Sequence, residues 1–274
     1  MDLAGKRVVI SGGSSGIGKA LAIQAAKRGA SVAILARDAG RLESARVEIA
    51  AAGKGKVIAV SVDVTSDASV EAGAAKVLAE LGGIDVLIAN QGYARCAPIW
   101  ETSMDDFQAI MNTNFYGHVR LVKAFAPAFR AQGSGSICLV ASMLAFMSFY
   151  GYGPYSASKH AIVGFSEALR QEMGLYNVHV NLHFPPTTET PGLTEENKTK
   201  PPVTWAIEES SRKFTSEQVA ASILAGIDKN RLVNLIGVDS WFIYVAKRFA
   251  PWLVRFFIDS DLKKGIKKNG LPAV

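Results

Sequence analysis

Between residues 11 and 18 the chain reads Ser-Gly-Gly-Ser-Ser-Gly-Ile-Gly, and this stretch decides the fold class. It follows a short β-branched run at residues 7–10 and precedes a helical pattern at residues 16–28. Gly12, Gly16 and Gly18 permit a tight turn and a close approach of the backbone to a pyrophosphate, and the helix start offers it free N–H groups. The glycine spacing is G-x-x-x-G-x-G. A strand, a glycine-rich turn and a helix in this order predict a dinucleotide-binding unit.

The rest of the chain continues the same alternation of short apolar runs with longer helical patterns. Further strands are predicted at residues 31–36, 57–62, 84–89, 136–141, 178–184 and 232–236, and further helices at 41–52, 70–81, 105–131, 155–173 and 216–229. The strands lack polar–apolar alternation, as expected when helices cover both faces of a sheet. The sequence therefore predicts an α/β fold, a doubly wound parallel sheet of the Rossmann type with about seven strands.

The glycine-rich stretch also matches G-x-S-x-G at residues 12–16, the nucleophile elbow of α/β-hydrolases. That interpretation would place the nucleophile Ser14 after the first strand, whereas a hydrolase sheet has several strands before its elbow. His183 lies near a later strand end, but no aspartate follows Ser14 in a suitable place. The dinucleotide interpretation is therefore favoured.

The ends of the second and third strands indicate which dinucleotide is bound. Arg37 stands where an acidic residue would accept hydrogen bonds from the adenosine ribose, and Arg41 follows one helical turn later. Two guanidinium groups favour a 2′-phosphate, and so predict NADPH; the alternative is a solvated arginine at a helix start. Asp63 and Val64 close the third strand, where the aspartate can meet the adenine amino group or simply cap the next helix.

Three residues after these strands form a candidate catalytic set. Tyr155 and Lys159 stand at i and i+4, on one face of a predicted helix, and Ser142 ends the fifth strand at the ligand-binding edge of the sheet. A tyrosine titrates near pH 10, so its phenolate needs a nearby cation, which Lys159 would supply. Ser142 would hydrogen-bond a carbonyl oxygen and Tyr155 would protonate it as hydride arrives. The alternative is a chance Tyr–Lys pair and a capping serine.

These motifs, with Asn90-Gln91-Gly92 and Asn114, occur in the order typical of the short-chain dehydrogenases/reductases, and the resemblance covers roughly residues 5–237. It implies that Asn114 holds a water in a relay to Lys159, and that the segment after the sixth strand meets the nicotinamide carboxamide. Gln91 and Pro186 depart from the family's Asn-Ala-Gly and Pro-Gly. The predicted cofactor-binding residues are Gly12, Ser14, Ser15, Gly16, Ile17, Gly18, Arg37, Arg41, Asp63, Val64, Asn90, Gly92, Tyr155, Lys159, Pro185, Thr188 and Thr190.

Residues 185–201 resemble the lid of one subfamily, the 3-ketodihydrosphingosine reductases, and residues 235–240 resemble a stretch before their C-terminal apolar region. This resemblance implies reduction of 3-oxosphinganine, a long-chain keto-amine, to sphinganine by NADPH. The alternatives are a 3-oxoacyl-thioester reductase, a hydroxysteroid dehydrogenase, and a non-catalytic dinucleotide sensor. A substrate lid is predicted at about residues 185–215. The family also commonly forms homodimers or homotetramers, which is an expectation by analogy.

The C-terminal segment, residues 240–274, has a separate character. It has seven basic and two acidic side chains, so it carries +5 of the net charge of +6. Tyr244, Arg248, Pro251, Arg255 and Asp259 are predicted on one helical stripe, with Phe242, Val245, Phe249, Leu253, Phe256 and Phe257 broadly opposite. Pro251 is expected to break the helix. This pattern predicts a catalytic domain at 1–239 and a basic amphipathic extension that contacts a membrane; the alternative is packing on the protein.

Composition limits the remaining possibilities. The chain has 274 residues, of which 49% are apolar, enough for one large α/β domain. No signal segment follows Met1, no run is long enough to span a membrane, and Cys96 and Cys138 form neither a disulfide framework nor a metal spacing. We therefore expect a cytoplasmic protein, peripheral to a membrane, with no metal site. No nucleic-acid-binding motif accompanies the basic segment, so no nucleic-acid partner is predicted.

Overall fold

The computed structural model describes residues 1–209 and 211–270, and its centre is a parallel sheet of seven strands. The strands are β1 (Arg7–Ser11), β2 (Ser31–Ala36), β3 (Val57–Ser61), β4 (Val86–Ala89), β5 (Gly135–Val140), β6 (Val178–Phe184), β7 (Thr188–Glu189), β8 (Phe214–Thr215) and β9 (Val233–Leu235). The seven-stranded sheet has the order β3-β2-β1-β4-β5-β6-β9, and β7 pairs with β8 separately. The predicted fold class, a doubly wound α/β sheet, is confirmed.

Helices cover both faces of this sheet. They are α1 (Gly16–Lys27), α2 (Ala39–Ala52), α3 (Asp67–Leu81), α4 (Met104–Met111), α5 (Gly117–Gln132), α6 (Gly153–Gly174), α7 (Pro191–Asn197), α8 (Pro202–Glu208), α9 (Ser216–Asp228), α10 (Val238–Phe249) and α11 (Pro251–Asn269). In β1, Val9 joins the core cluster under α3, α5 and α6, while Val8 and Ile10 join the cluster under α1, α2 and α9. Both faces are therefore buried, which explains why the strands lack alternation.

The helix predicted at residues 105–131 is interrupted by a π-helical turn. α4 and α5 are joined through Asn112–Tyr116, where the backbone hydrogen bonds follow π-helical spacing. Such a turn accommodates one extra residue and is often found at functional sites. The candidate residue Asn114 lies inside it and is fully buried.

Within residues 185–209 and 211–215, the chain forms two short helices, α7 and α8, which lie in sequence between the paired strands β7 and β8. The C-terminal segment covers them, because α11 packs against α8: a Cβ on Gly265 would lie 3.1 Å from the Val203 carbonyl oxygen. Lys268 also forms an ion pair of 2.9 Å with Glu209. The division of the chain near residue 239 stays a prediction, but α11 packs against α8 in the predicted lid.

Pro251 separates α10 from α11, as expected, but the predicted polar stripe is wrong at Tyr244. Its ring packs inward against Phe146 and Phe184, with ring centroids 5.3 and 5.8 Å away. An amphipathic pattern distinguishes the two faces of a helix but does not indicate which face packs against the protein. In α10, the face that carries Tyr244 packs against the protein. Within residues 1–209 and 211–270, no helix has the length and apolar character needed to cross a bilayer.

Candidate active site

Ser142, Tyr155 and Lys159 come together at the carboxyl edge of the sheet. Ser142 lies two residues after the end of β5, and the other two lie in the first turns of α6. All three line one cavity of about 600 Å³. The Lys159 ammonium lies 5.6 Å from the centre of the Tyr155 ring and donates a hydrogen bond of 3.1 Å to the Val140 carbonyl. The predicted set is thus brought together in one cavity, with a hydroxyl, a phenol and an ammonium group facing the same space.

The expected lowering of the Tyr155 pKa is not found. Burial raises the pKa of this phenol, the Glu196 carboxylate raises it further, and a hydrogen bond with Ser142 opposes them. Burial also lowers the pKa of Lys159 from 10.5 to about 7. Desolvation is the largest cause of both shifts; Lys159 is 3% exposed and Tyr155 is partly buried. In this state Tyr155 is a proton donor, and Lys159 carries its charge only below about pH 7.

Asn114 lies behind this cavity rather than in its wall. Its amide donates to the Tyr93 carbonyl (2.9 Å) and the Ser158 hydroxyl (3.1 Å), and its oxygen accepts from the Tyr93 N–H (3.0 Å). A Cβ on Gly92 would lie 3.2 Å from the Asn114 Oδ1 and 3.3 Å from the Lys159 Nζ. Gly92 therefore keeps a close approach between these groups, while the predicted water relay stays a prediction.

The glycine-rich turn leaves a cradle at the start of α1. Gly12 has a positive φ of 65°, and a Cβ on Gly18 would lie 2.1 Å from the Gly12 carbonyl oxygen, so helix and turn meet only through glycine. No side chain caps α1 at Ser15, so its first N–H groups face the cradle. The Asn90 amide holds the turn by donating to the Ser11 carbonyl (3.1 Å). This shape and these donors fit a dinucleotide pyrophosphate.

The two predicted arginines differ in their surroundings. Both are exposed, but the Arg41 guanidinium forms an ion pair of 2.8 Å with Asp38, whose carboxylate also caps α2. Arg37 lies near Asp63, whose pKa it helps to lower. The larger causes of that lowering are hydrogen bonds from the backbone N–H and hydroxyl of Thr65 (2.9 and 2.7 Å). The cap of α3 is Ser66, so the N-cap alternative for Asp63 is wrong.

The segment after β6 lines the cavity and reaches the cradle, because a Cβ on Gly16 would lie 3.1 Å from the Thr190 methyl group. Pro185, Thr188 and Thr190 all lie in its wall, as does Ile17 from α1. The Thr188 hydroxyl donates to the Pro186 carbonyl (2.8 Å), and the Thr190 hydroxyl caps α7 by accepting from the Leu193 N–H (3.0 Å). These predicted nicotinamide contacts therefore line the same cavity as Ser142, Tyr155 and Lys159, and their role stays a prediction.

A family model described as short chain dehydrogenase matches residues 6–201. The chain belongs to the short-chain dehydrogenase family. The 3-dehydrosphinganine reductase of Danio rerio is 36% identical over 247 residues, which cover 89% of this chain and 74% of that protein. The 3-dehydrosphinganine reductase of Arabidopsis thaliana is 41% identical over 249 residues, which cover 90% and 75%. Family membership makes the chain an oxidoreductase and implies a nicotinamide dinucleotide cofactor.

Solved structures agree on the architecture of this short-chain dehydrogenase. A short-chain type dehydrogenase/reductase from Mycobacterium marinum is 29% identical, with a TM-score of 0.78 over 86% of this chain and 95% of that one. Levodione reductase also gives a TM-score of 0.78, over 86% and 98%, but at 24% identity this likeness concerns the fold alone.

Gln91, which replaces the usual family alanine, belongs to a buried polar chain behind the cradle. Its side-chain oxygen accepts from the Ser11 hydroxyl, and its amide lies 3.0 Å from the His118 Nδ1. Burial and the nearby Lys159 lower the pKa of His118 to about 3, so this imidazole is neutral and accepts from the amide. Gln91 therefore supports the turn from behind rather than forming the floor of the cavity.

Sequence reasoning missed a polar cluster in the lid side of the cavity. Glu196 and Glu208 line the cavity, and Tyr152 and Lys200 join them through hydrogen bonds and ion pairs. Glu196 lies inside the lid stretch that carries the subfamily resemblance, so a signal existed there. Glu208 stands 12 positions later with no motif around it. The apolar wall contributed by α10 and α11 was also missed.

Proposed function

We propose that this short-chain dehydrogenase is an NADPH-dependent reductase that converts 3-oxosphinganine into sphinganine. The observation that carries the proposal is the composition of the cavity. At one end it holds Ser142, Tyr155 and Lys159, and at the other it extends between apolar side chains of α10 and α11, among them Ile243 and Leu253. A carbonyl on a long hydrocarbon chain matches both ends. The relatives from Danio rerio and Arabidopsis thaliana are both named as 3-dehydrosphinganine reductases, which supports the same substrate.

The residues at the polar end have distinct roles in this reduction. The Ser142 hydroxyl holds the carbonyl oxygen, and the Tyr155 phenol transfers its proton to that oxygen as the carbonyl carbon becomes a carbinol. NADPH, when bound, supplies the hydride. Lys159 holds a positive charge near the phenolate that remains, and so stabilises it. The raised pKa of Tyr155 suits this direction, because the phenol is protonated before each turnover.

The preference for NADPH is proposed from Arg37. It is exposed at the end of β2 and, unlike Arg41, has no ion pair within the described residues. The Arg37 guanidinium is therefore available to bind the 2′-phosphate of the adenosine ribose. A guanidinium group can bind a phosphate through two parallel hydrogen bonds.

We propose that α10 and α11 dock this enzyme on an anionic membrane. Phe249, Trp252 and Phe256 are exposed, and Phe249 is 80% exposed. Phe242 and Phe257 are exposed and also line the cavity, so the cavity opens within this aromatic surface. A hydrocarbon chain could pass from the bilayer into the cavity without crossing water. The basic side chains of the segment would add about 1 kcal/mol each near an anionic surface.

The substrate assignment is tested by following NADPH oxidation by the purified chain. We expect turnover of 3-oxosphinganine, and little turnover of acetoacetyl thioesters or ketosteroids at equal concentration. Faster turnover of a thioester or a steroid would replace the proposed substrate with one of the family alternatives. Tight NADPH binding with no turnover of any carbonyl would favour the sensor.

The docking surface is tested separately by co-sedimentation with phosphatidylserine vesicles and with phosphatidylcholine vesicles. A triple variant, Phe249→Ser with Trp252→Ser and Phe256→Ser, removes exposed rings that do not line the cavity. We expect it to lose binding to anionic vesicles and to keep its turnover of detergent-dispersed substrate. The matched control is Leu175→Ser, at a residue 83% exposed beyond the end of α6. Wild-type protein that stays in the supernatant would refute docking without affecting the reductase assignment.

A further inference from the structure

The lid side of the cavity holds two carboxylates and one buried ammonium group. Lys200 has a side chain that is 0% exposed, and its Nζ lies 3.2 Å from Glu196 and 2.5 Å from Glu208. Among residues 1–209 and 211–270, no other cationic group lies within ion-pair distance of either carboxylate. The cluster therefore carries one negative charge more than it neutralises.

The Tyr152 hydroxyl does not compensate for this excess negative charge. It contacts one oxygen of Glu196 and one oxygen of Glu208, but it has a single proton and can donate to only one of them. An uncompensated carboxylate in a largely buried site is costly. In agreement with this, burial raises the pKa of Glu196 despite the opposing effects of Tyr152 and Lys200. One further positively charged hydrogen-bond donor would satisfy the cluster.

The position of the cluster indicates which cation would supply that donor. Glu196 and Glu208 line the same cavity as Tyr155 and Ser142, and the Tyr152 and Tyr155 rings have centroids 6.0 Å apart. Glu196 is also near enough to raise the pKa of Tyr155. A cation bound here would therefore lie next to the carbonyl that Tyr155 protonates.

We propose that Glu196 and Glu208 form a subsite for the ammonium group of an amino-ketone substrate. This inference rests on the proposed function, in which the amine stands on the carbon next to the reacting carbonyl. The subsite would make the enzyme select amino ketones over long-chain ketones that lack the amine. It would also fix which face of the carbonyl meets the cofactor, because the amine, the carbonyl and the chain are held at three separate places.

The experiment compares two substrates of equal chain length, 3-oxosphinganine and its analogue without the 2-amino group. For the wild-type chain we expect kcat/KM to favour the amine by about 10- to 100-fold, the range expected for a charge-assisted hydrogen bond. Glu196→Gln should remove most of this preference by slowing the amino ketone much more than the analogue. A structural role alone would slow both substrates equally and so would overturn the proposal.

Glu195→Gln is the matched control, because Glu195 is the neighbouring carboxylate but is exposed and paired with Lys198 (2.7 Å). It should keep the wild-type preference. If Glu196→Gln does not fold, as judged by its thermal unfolding, Glu208→Gln repeats the comparison. Equal wild-type turnover of the two ketones would refute the subsite and leave the reductase proposal standing. Turnover of the analogue but not of 3-oxosphinganine would refute both.

Discussion

The two walls of the cavity are built on different principles. The first wall is the carboxyl edge of β4, β5 and β6 with the starts of α1 and α6, and it holds Gly92 and the reactive groups of Ser142, Tyr155 and Lys159. The second wall consists of α7, α8, α10 and α11, and it presents large apolar side chains together with the carboxylates of Glu196, Glu208, Asp239 and Asp261. The first wall can hold a cofactor and activate a carbonyl of any kind. The second wall decides which carbonyl compound reaches it.

This difference predicts how variants should divide. Changes in the first wall should affect every carbonyl substrate alike, whereas changes in the second should affect only substrates with the long chain or the amine. A change in the first wall that slowed only some substrates, or a change in the second wall that slowed all of them, would show that the two walls are coupled.

The largest effect is expected for Tyr155→Phe, which removes the proton donor in the first wall. General acid catalysis contributes about 10²- to 10⁴-fold, so kcat should fall by that factor for 3-oxosphinganine and for any slower ketone. NADPH binding, measured by fluorescence titration, should stay within about twofold because the hydroxyl is not part of the pyrophosphate cradle. A variant that keeps half its rate would contradict the role of Tyr155.

Arg37→Asp should change cofactor use without changing substrate choice. Loss of a guanidinium–phosphate contact and the added negative charge should raise the NADPH KM by about 10- to 100-fold, with a much smaller change for NADH. Steady-state kinetics with both cofactors measures this directly, and Arg41→Ala is a useful comparison because Asp38 already pairs with that guanidinium. Equal changes for the two cofactors would argue against NADPH preference.

The pH dependence should report on Lys159. Its pKa of about 7 means that the ammonium is present below pH 7 and is lost above it. Between pH 6 and 8 we expect kcat/KM for reduction to fall by about tenfold. Stability should change in the opposite direction: an unfolded lysine binds its proton up to about pH 10.4, so the free energy of unfolding should rise from pH 7 towards that value.

Kinetics and thermal unfolding from pH 6 to 9 would test both trends on the same samples. A rate that stays constant over this range would show that the charge of Lys159 is not required, or that its pKa is not lowered when the cofactor binds.

The smallest effect is expected in the second wall. Phe257→Ala removes one ring from the apolar end of the cavity and should lower kcat/KM for the long-chain ketone by about fivefold, corresponding to roughly 1 kcal/mol of lost apolar contact. A ketone with a chain of four carbons, assayed in the same detergent, should not reach that ring and should be unaffected. Equal losses for both chain lengths would place Phe257 in a structural role.

The first wall was predictable from the sequence because its signals are local. The strands at 31–36 and 178–184 coincide with β2 and β6, and the glycine-rich turn, Ser142, Tyr155 and Lys159 lie where their motifs place them. Each of these elements is specified by neighbours within a few positions, so the order of motifs was sufficient.

The second wall was not predictable in the same way. Tyr152 and Glu208 are 56 positions apart in the chain and meet only through the packing of α8 on the start of α6. The amphipathic pattern of α10 likewise could not indicate that Tyr244 faces the core. The expected lowering of the Tyr155 pKa was wrong for a related reason. Desolvation depends on burial in the tertiary structure, and the spacing of two residues in the sequence does not indicate that burial.

The π-helical turn between α4 and α5 makes the number of residues there as important as their identity. A π-helical turn takes up one extra residue, so deleting one residue from Asn112–Tyr116 would convert it into ordinary α-helix and change which residues of the turn face the protein. Asn114 would then leave the Tyr93 backbone that it holds from both sides. A single deletion in this turn would therefore also disturb the strand end that carries Gly92 beside Lys159.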